Sequence, residues 1–152
     1  MIELGLILAC APGVDPSTIK EIVRVESAGN QFAVNINTKN GVKLRPTIKI
    51  NTMQEAIAVS YAAIERGHTV DMGYMQINSA NLKALGYTIE NIFYPCANIK
   101  AGAAVLSASY ARALPKYKNE QAALRAALSA YNTGNFQSGF ENGYVMRYFT
   151  RK

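Results

Sequence analysis

Val25-Glu26-Ser27-Ala28-Gly29-Asn30 closes the first amphipathic helix of this chain, and it places a carboxyl group where charge is costly. Ile19, Ile22 and Val23 recur at i, i+3 and i+4 and mark the core-facing stripe. Three residues beyond Val23 the same stripe reaches Glu26. Its carboxyl is therefore expected on the buried side, one turn from the helix end. Burial disfavours the charged form, and so does the negative end of the helix dipole. Both raise the pKa, which is what a general acid working near neutral pH requires. Read from this helix alone, the competing role is a glutamate that reaches water or pairs with Arg24 or Lys20.

Working outward, Asp15 suits an N-cap and Pro16 the first helical position. The helix is expected to run to about Ala28 and to end at Gly29 or Asn30. Upstream, residues 2–10 read as a short apolar helix broken by Pro12-Gly13. Downstream, Phe32 to Asn37 alternates like a strand, Lys39-Asn40-Gly41 is a turn, and Thr47 to Ile50 reads as a second strand. Met53 to Arg66 is Ala-rich and helical, closing at Gly67. The stretch from Asp71 to Asn78 is too short to assign. Helices are expected at 79–85, 97–114 (stopped by Pro115), 119–131 and 141–149. The sum is one α+β domain over 1–152, mostly α, with a minor β lobe.

Composition agrees with a single globular domain: 152 residues, 49% hydrophobic and 17% charged, with extensive disorder not expected. The net charge of +6 favours polyanionic partners such as nucleic acid, anionic lipid or an acidic wall polymer. Lys39, Lys43, Arg45 and Lys49 form the densest basic group, either a solvated face or a hold on an acidic polymer. No consecutive basic block and no nucleic-acid-binding signature is present, so nucleic acid is not an expected partner. Leu4 to Ala11 is apolar but too short to span a bilayer, and no basic stretch precedes it. Met1 is expected to stand in place of a removed export signal. Cys10 and Cys96 read either as a disulfide closing a long loop, which implies an oxidising compartment, or as two buried thiols. A zinc site from two distant Cys and the single His68 is not expected. His68 reads as a surface loop residue with no role.

Three segments in order, Glu26-Ser27-x-Gly29, Gly73-Tyr74-Met75-Gln76-Ile77-Asn78 and Ala130-Tyr131-Asn132-x-Gly134, resemble the lytic transglycosylases of the lysozyme-like superfamily. The resemblance covers residue 10 to about 148. Cys10-Ala11-Pro12 and Pro95-Cys96-Ala97-Asn98-Ile99-x-Ala101-Gly102-Ala103 resemble more narrowly the small transglycosylases that accompany type IV secretion and conjugation machines. The resemblance implies a lysozyme-like fold, a helical domain and a small β lobe flanking a glycan-binding cleft. It also implies cleavage of the β-1,4 bond between N-acetylmuramic acid and N-acetylglucosamine in peptidoglycan. Glu26 matches the family's single essential acid, which protonates the glycosidic oxygen and then takes the proton of the muramic C6 hydroxyl as a 1,6-anhydro ring closes. No cofactor and no metal is implied. A periplasmic location, a Cys10–Cys96 disulfide and components of a secretion apparatus as partners are expected.

The matching positions acquire roles in such a site. Ser27, Gly73, Tyr74, Met75, Gln76, Asn78, Tyr131 and Asn132 are the expected substrate-binding residues. Gly73 leaves room for a sugar to approach the backbone. Gln76 and Asn78 offer amides that both donate and accept. In an extended segment, Tyr74, Gln76 and Asn78 share one side. Without the resemblance, Gln76 and Asn78 read as loop caps and Tyr131 as a simple core tyrosine; in the site, its ring is core and its hydroxyl reaches the Glu26 carboxyl. With nine Tyr and no Trp, residues such as Tyr74 take over sugar stacking. Asp71 is the possible second carboxylate: Asp71-x-Gly73-x-x-Gln76-Ile77-Asn78-Ser79 also resembles animal-type lysozymes, whose hydrolysis needs two carboxylates. The alternatives are thus a muramidase using Glu26 and Asp71, or an assembly factor that binds glycan without turning it over.

Overall fold

A four-stranded antiparallel sheet of order β2-β1-β3-β4 carries the polar residues of greatest interest. The strands are β1 (Val34–Asn37), β2 (Lys43–Leu44), β3 (Thr69–Met72) and β4 (Ile77–Asn78) in this computed structural model, which describes residues 2–150. Met1, the expected site of a removed signal, lies outside the described residues, as do Arg151 and Lys152. The chain divides into two compact units, Met1–Gly102 and Ala103–Lys152.

In the first unit, β1 pairs with β3 in a register that sets Val34 against Met72 and Ile36 against Val70. One face of the sheet is therefore apolar and packed inward. The opposite face carries Asn35, Asn37, Thr69, Asp71 and Asn78, as strand alternation requires. Ile7 of α1 (Leu4–Cys10) and Ile19, Ile22 and Val23 of α2 (Pro16–Ser27) are core residues of the same unit. The side chain of Asp15 caps α2 by accepting from the Ser17 amide at 2.8 Å, with Pro16 behind it, as expected. α3 (Met53–Glu65) starts at Thr52, whose hydroxyl accepts from the Glu55 amide. Two short helices follow, α4 (Leu82–Leu85) and α5 (Ile89–Ile92), the latter closed by a Thr88–Asn91 capping box. Cys10 and Cys96 are joined by a disulfide across 86 residues of sequence.

Four expectations change. α2 ends at Ser27, and Ala28 takes the left-handed cap at φ 52°, a position that Gly29 was expected to serve. The strand expected at Thr47–Ile50 is absent, and β2 lies earlier, at Lys43–Leu44. Continuing its register would set Pro46 against Val34, and proline has no N–H for the ladder. α6 (Pro95–Tyr117) passes through Pro115. In the last turn proline forfeits a single hydrogen bond, so the helix ends instead at Lys118, with φ 55°. The expected helix over 141–149 is two pieces, α8 (Ser138–Glu141) and a 3-10 turn (Val145–Tyr148), separated at Gly143 with φ 83°.

The second unit is built on α7 (Glu120–Thr133), capped by Asn119. Ala113, Ala123 and Ala126 form its small-residue core, against which Tyr110, Tyr117 and Phe136 pack. The Ser129 hydroxyl donates to the Asn135 carbonyl and accepts from the Gly139 amide, both at 2.8 Å. A Cβ on Gly139 would sit 2.6 Å from the Ser129 Cα, so α8 approaches α7 this closely only through a glycine. Among the described residues no helix is long and apolar enough to cross a membrane.

Candidate active site

Glu26 stands half-buried at the end of α2 and lines a cavity of about 560 Å³. That volume suits a ligand of a few sugar rings' size. The end of α2, the start of β1 and the irregular segment after β2 wall it: Ser27 and Asn30 on one side, Phe32 and Asn35 next, Ile48 and Lys49 beyond. The helical stripe was expected to set the Glu26 carboxyl on the buried side; the residue is half-buried and lines the cavity.

Ser27 belongs to the same cavity wall, yet its hydroxyl is already engaged. It lies 2.8 Å from the Tyr74 carbonyl and 3.1 Å from the Val23 carbonyl, tying the end of α2 to the turn between β3 and β4. That turn, residues 73–76, departs from the extended segment on which Tyr74, Gln76 and Asn78 were to share a side. Gln76 adopts φ 53°, and its amide nitrogen donates to the carbonyls of Ala33 and Gly73 at 3.2 and 3.1 Å. Its amide oxygen accepts from Asn35 Nδ2 at 2.7 Å. Gln76 therefore orients Asn35, and Asn35 lines the cavity, as Asn30 does. The motifs do not single out Asn35. The signal for it was the strand alternation, which opposes Asn35 and Asn37 to Val34 and Ile36.

Packing by itself requires a glycine at Gly73. Its φ is 77°, and a Cβ there would lie 2.3 Å from Asn98 Nδ2. Asn98 is fully buried. It accepts from the Met75 amide at 2.7 Å and donates to the carbonyls of Met72 and Ile92 at 2.9 and 3.1 Å. One side chain thus holds both ends of the turn. The Met75 side chain is buried as well, seated where a Cβ on Gly102 would come within 2.4 Å of its sulfur. It packs in the core and lines no part of the cavity.

Asp71 lies outside the cavity lining. Its Oδ2 accepts from Asn37 Nδ2 at 2.8 Å and its Oδ1 from Asn78 Nδ2 at 2.9 Å. Asn78 in turn accepts from the Ala80 amide and starts the turn leading to α4. Both residues are bound into the polar face of the sheet. His68, expected at the surface, is half-buried, and its Nδ1 is out of solvent without a hydrogen-bond partner.

The model of the family described as "Transglycosylase SLT domain" matches residues 6–151, almost the whole chain. The chain belongs to the SLT transglycosylase family. Among curated proteins, this SLT domain is 40% identical to protein virB1 of Agrobacterium fabrum over 91% of the present chain and 54% of that protein. It is 39% identical to the type IV secretion system protein virB1 of Brucella abortus, over 90% of this chain and 56% of the relative. The chain therefore spans about half the length of the curated relatives it matches. No solved structure gives a significant match.

Tyr131 and Asn132, the third motif of the SLT domain, lie in the last turn of α7 in the second unit. Tyr131 is half-buried and Asn132 exposed. The Asn132 side-chain Oδ1 accepts from Asn142 Nδ2 at 3.0 Å, which clips the end of α7 to the loop after α8. Among the described residues no group of three or more His, Cys, Asp or Glu side chains comes together as a metal cage.

Proposed function

We propose that this chain is a peptidoglycan lytic transglycosylase that opens the wall locally for a type IV secretion or conjugation apparatus, and that it works in the periplasm. The observation that carries the reading is Glu26, half-buried on the wall of the cavity, in a chain of the SLT family. Its carboxylic acid protonates the glycosidic oxygen as the C1–O bond of the muramic residue breaks. The resulting carboxylate takes the proton of the C6 hydroxyl, whose oxygen bonds to C1. The acid form is restored, the leaving sugar keeps the first proton as a hydroxyl, one glycosidic bond has become one intramolecular 1,6-acetal, and no water is consumed. A single carboxyl suffices for both steps.

Asn35, held by Gln76, is the amide placed to meet a sugar hydroxyl or acetamide. Ser27, Gly73 and Met75 act by fixing the turn, through the contacts already described, and Tyr74, Asn78, Tyr131 and Asn132 are retained as substrate-contacting residues on their motifs. The family match crosses both units, which supports one domain over 1–152. The type IV secretion assignment rests on the virB1 relatives, and export on the Cys10–Cys96 disulfide.

Mass spectrometry of the soluble products from purified murein tests the reading. Muropeptides ending in 1,6-anhydromuramic acid are expected from the wild type. Glu26→Gln is expected to lower their release by at least about a hundredfold while leaving murein binding intact. Reducing-end products from the wild type, or undiminished turnover by the variant, would overturn it.

A further inference from the structure

The charged residues around Glu26 are unbalanced. Arg24, Arg45 and Lys49 line the same cavity, with Glu26 as the carboxyl among them. Arg24 lies at 2.5 Å from Glu21, so part of its charge is already met. Arg45 and Lys49 have no ion-pair partner among the described residues, and both are exposed. They sit on the irregular segment after β2, where Ile48, 53% exposed, stands between them on the cavity wall. Two free cations spaced by an aliphatic side chain are more than a neutral glycan needs. The ring hydroxyls and acetamides of the sugar backbone are met by amides such as Asn35, and carry no charge for an ammonium or guanidinium to read.

We propose that Arg45 and Lys49 form a subsite for the carboxylates of the peptide stem on muramic acid, so that the enzyme selects peptide-bearing strands over stripped ones. This rests on the function proposed above. Arg45 presents a planar fork suited to a carboxylate, and Lys49 a point charge beside it. Ile48 covers the aliphatic part of a stem residue. The pair is solvated, so its effect is modest for each cation and sensitive to salt.

The test is a binding measurement, made in the Glu26→Gln background so that turnover does not enter. Co-sedimentation is read on three polymers: intact murein, glycan strands stripped of peptide by an amidase, and neutral chitin. Amidase cleavage hydrolyses the amide that joins the stem to the lactyl group and so frees a lactyl carboxylate, and the stripped strands therefore offer that charge without the stem. Arg45→Gln together with Lys49→Gln is expected to weaken binding to intact murein about tenfold, with each single change accounting for about threefold to fivefold. Binding to stripped strands and chitin is expected to stay unchanged. The difference on intact murein should shrink as salt is raised from about 50 mM to about 500 mM. An equal loss on stripped strands would show that the cations act without the stem and overturn the stem subsite. No loss on intact murein would overturn it outright. Failure of the wild type to form anhydro products is a separate result, bearing on the enzyme reading alone. Circular dichroism of the double variant checks that the fold is retained.

Discussion

Asp71 lies in a sequence neighbourhood that leaves two chemistries open, and its partners bear on the choice. Each of its oxygens already accepts an amide hydrogen, from Asn37 and from Asn78, and it lines no part of the cavity holding Glu26. A nucleophile or a base for water must present an oxygen to the substrate. Asp71→Asn is therefore expected to change anhydro-product release by less than about fivefold, because only the order of the sheet's polar face is disturbed. The introduced amide opposes a donor with a donor at one of the two partners, which should lower stability by about 1 kcal/mol in a urea titration. A loss of activity approaching that of Glu26→Gln, together with reducing-end products, would assign the chain to the two-carboxylate muramidases. Glu26 itself was legible from helical spacing, since Ile19, Ile22 and Val23 point to it. Asn35 was not, since a strand asparagine announces a solvent face and only Gln76, forty-one residues away in sequence, turns it toward the cavity.

At the scale of elements, the turn at 73–76 is the one whose role the sequence described least well. The motif was visible, and its glycine was visible, yet the reason for the glycine was Asn98 on α6. Gly73→Ala is expected to cost about 2–4 kcal/mol in chemical denaturation, the sum of a left-handed alanine and the displacement of a buried amide with three backbone partners. Gly86→Ala is the internal control. Gly86 has nearly the same φ, 83° against 77°, but nothing lies within 4 Å of its Cβ position, so about 1 kcal/mol is expected there. Similar losses at the two sites would show that Asn98 yields easily and does not hold the turn. The strand misplaced at Thr47–Ile50 has a related cause. Alternation alone favoured it, but β1 offered no donor-compatible partner once Pro46 came into register with Val34. What the cavity gained is an irregular wall bearing Arg45, Ile48 and Lys49.

For the molecule as a whole, the Cys10–Cys96 disulfide joins the end of α1 to the first turn of α6. A crosslink closing so long a loop restricts the unfolded chain strongly. Its removal by Cys10→Ser with Cys96→Ser is expected to destabilise the protein by about 2–5 kcal/mol, measured as the shift of a urea midpoint. The same shift should follow from adding reductant to the wild type, and should be absent when reductant is added to the double variant. A wild type indifferent to reductant under denaturing titration would contradict the role given to the bridge. The sequence by itself determined the helix that carries Glu26, the apolar and polar faces of β1, the predominance of helix and the family, because these depend on spacing along one segment. The tertiary structure alone decided that Asp71 is bound within the sheet, that Gln76 orients Asn35, that Gly73 makes room for Asn98, and that Arg45 and Lys49 line the same cavity as Glu26. Each of those depends on a partner distant in the chain, and no local pattern encodes which distant residue will arrive within hydrogen-bonding or van der Waals reach.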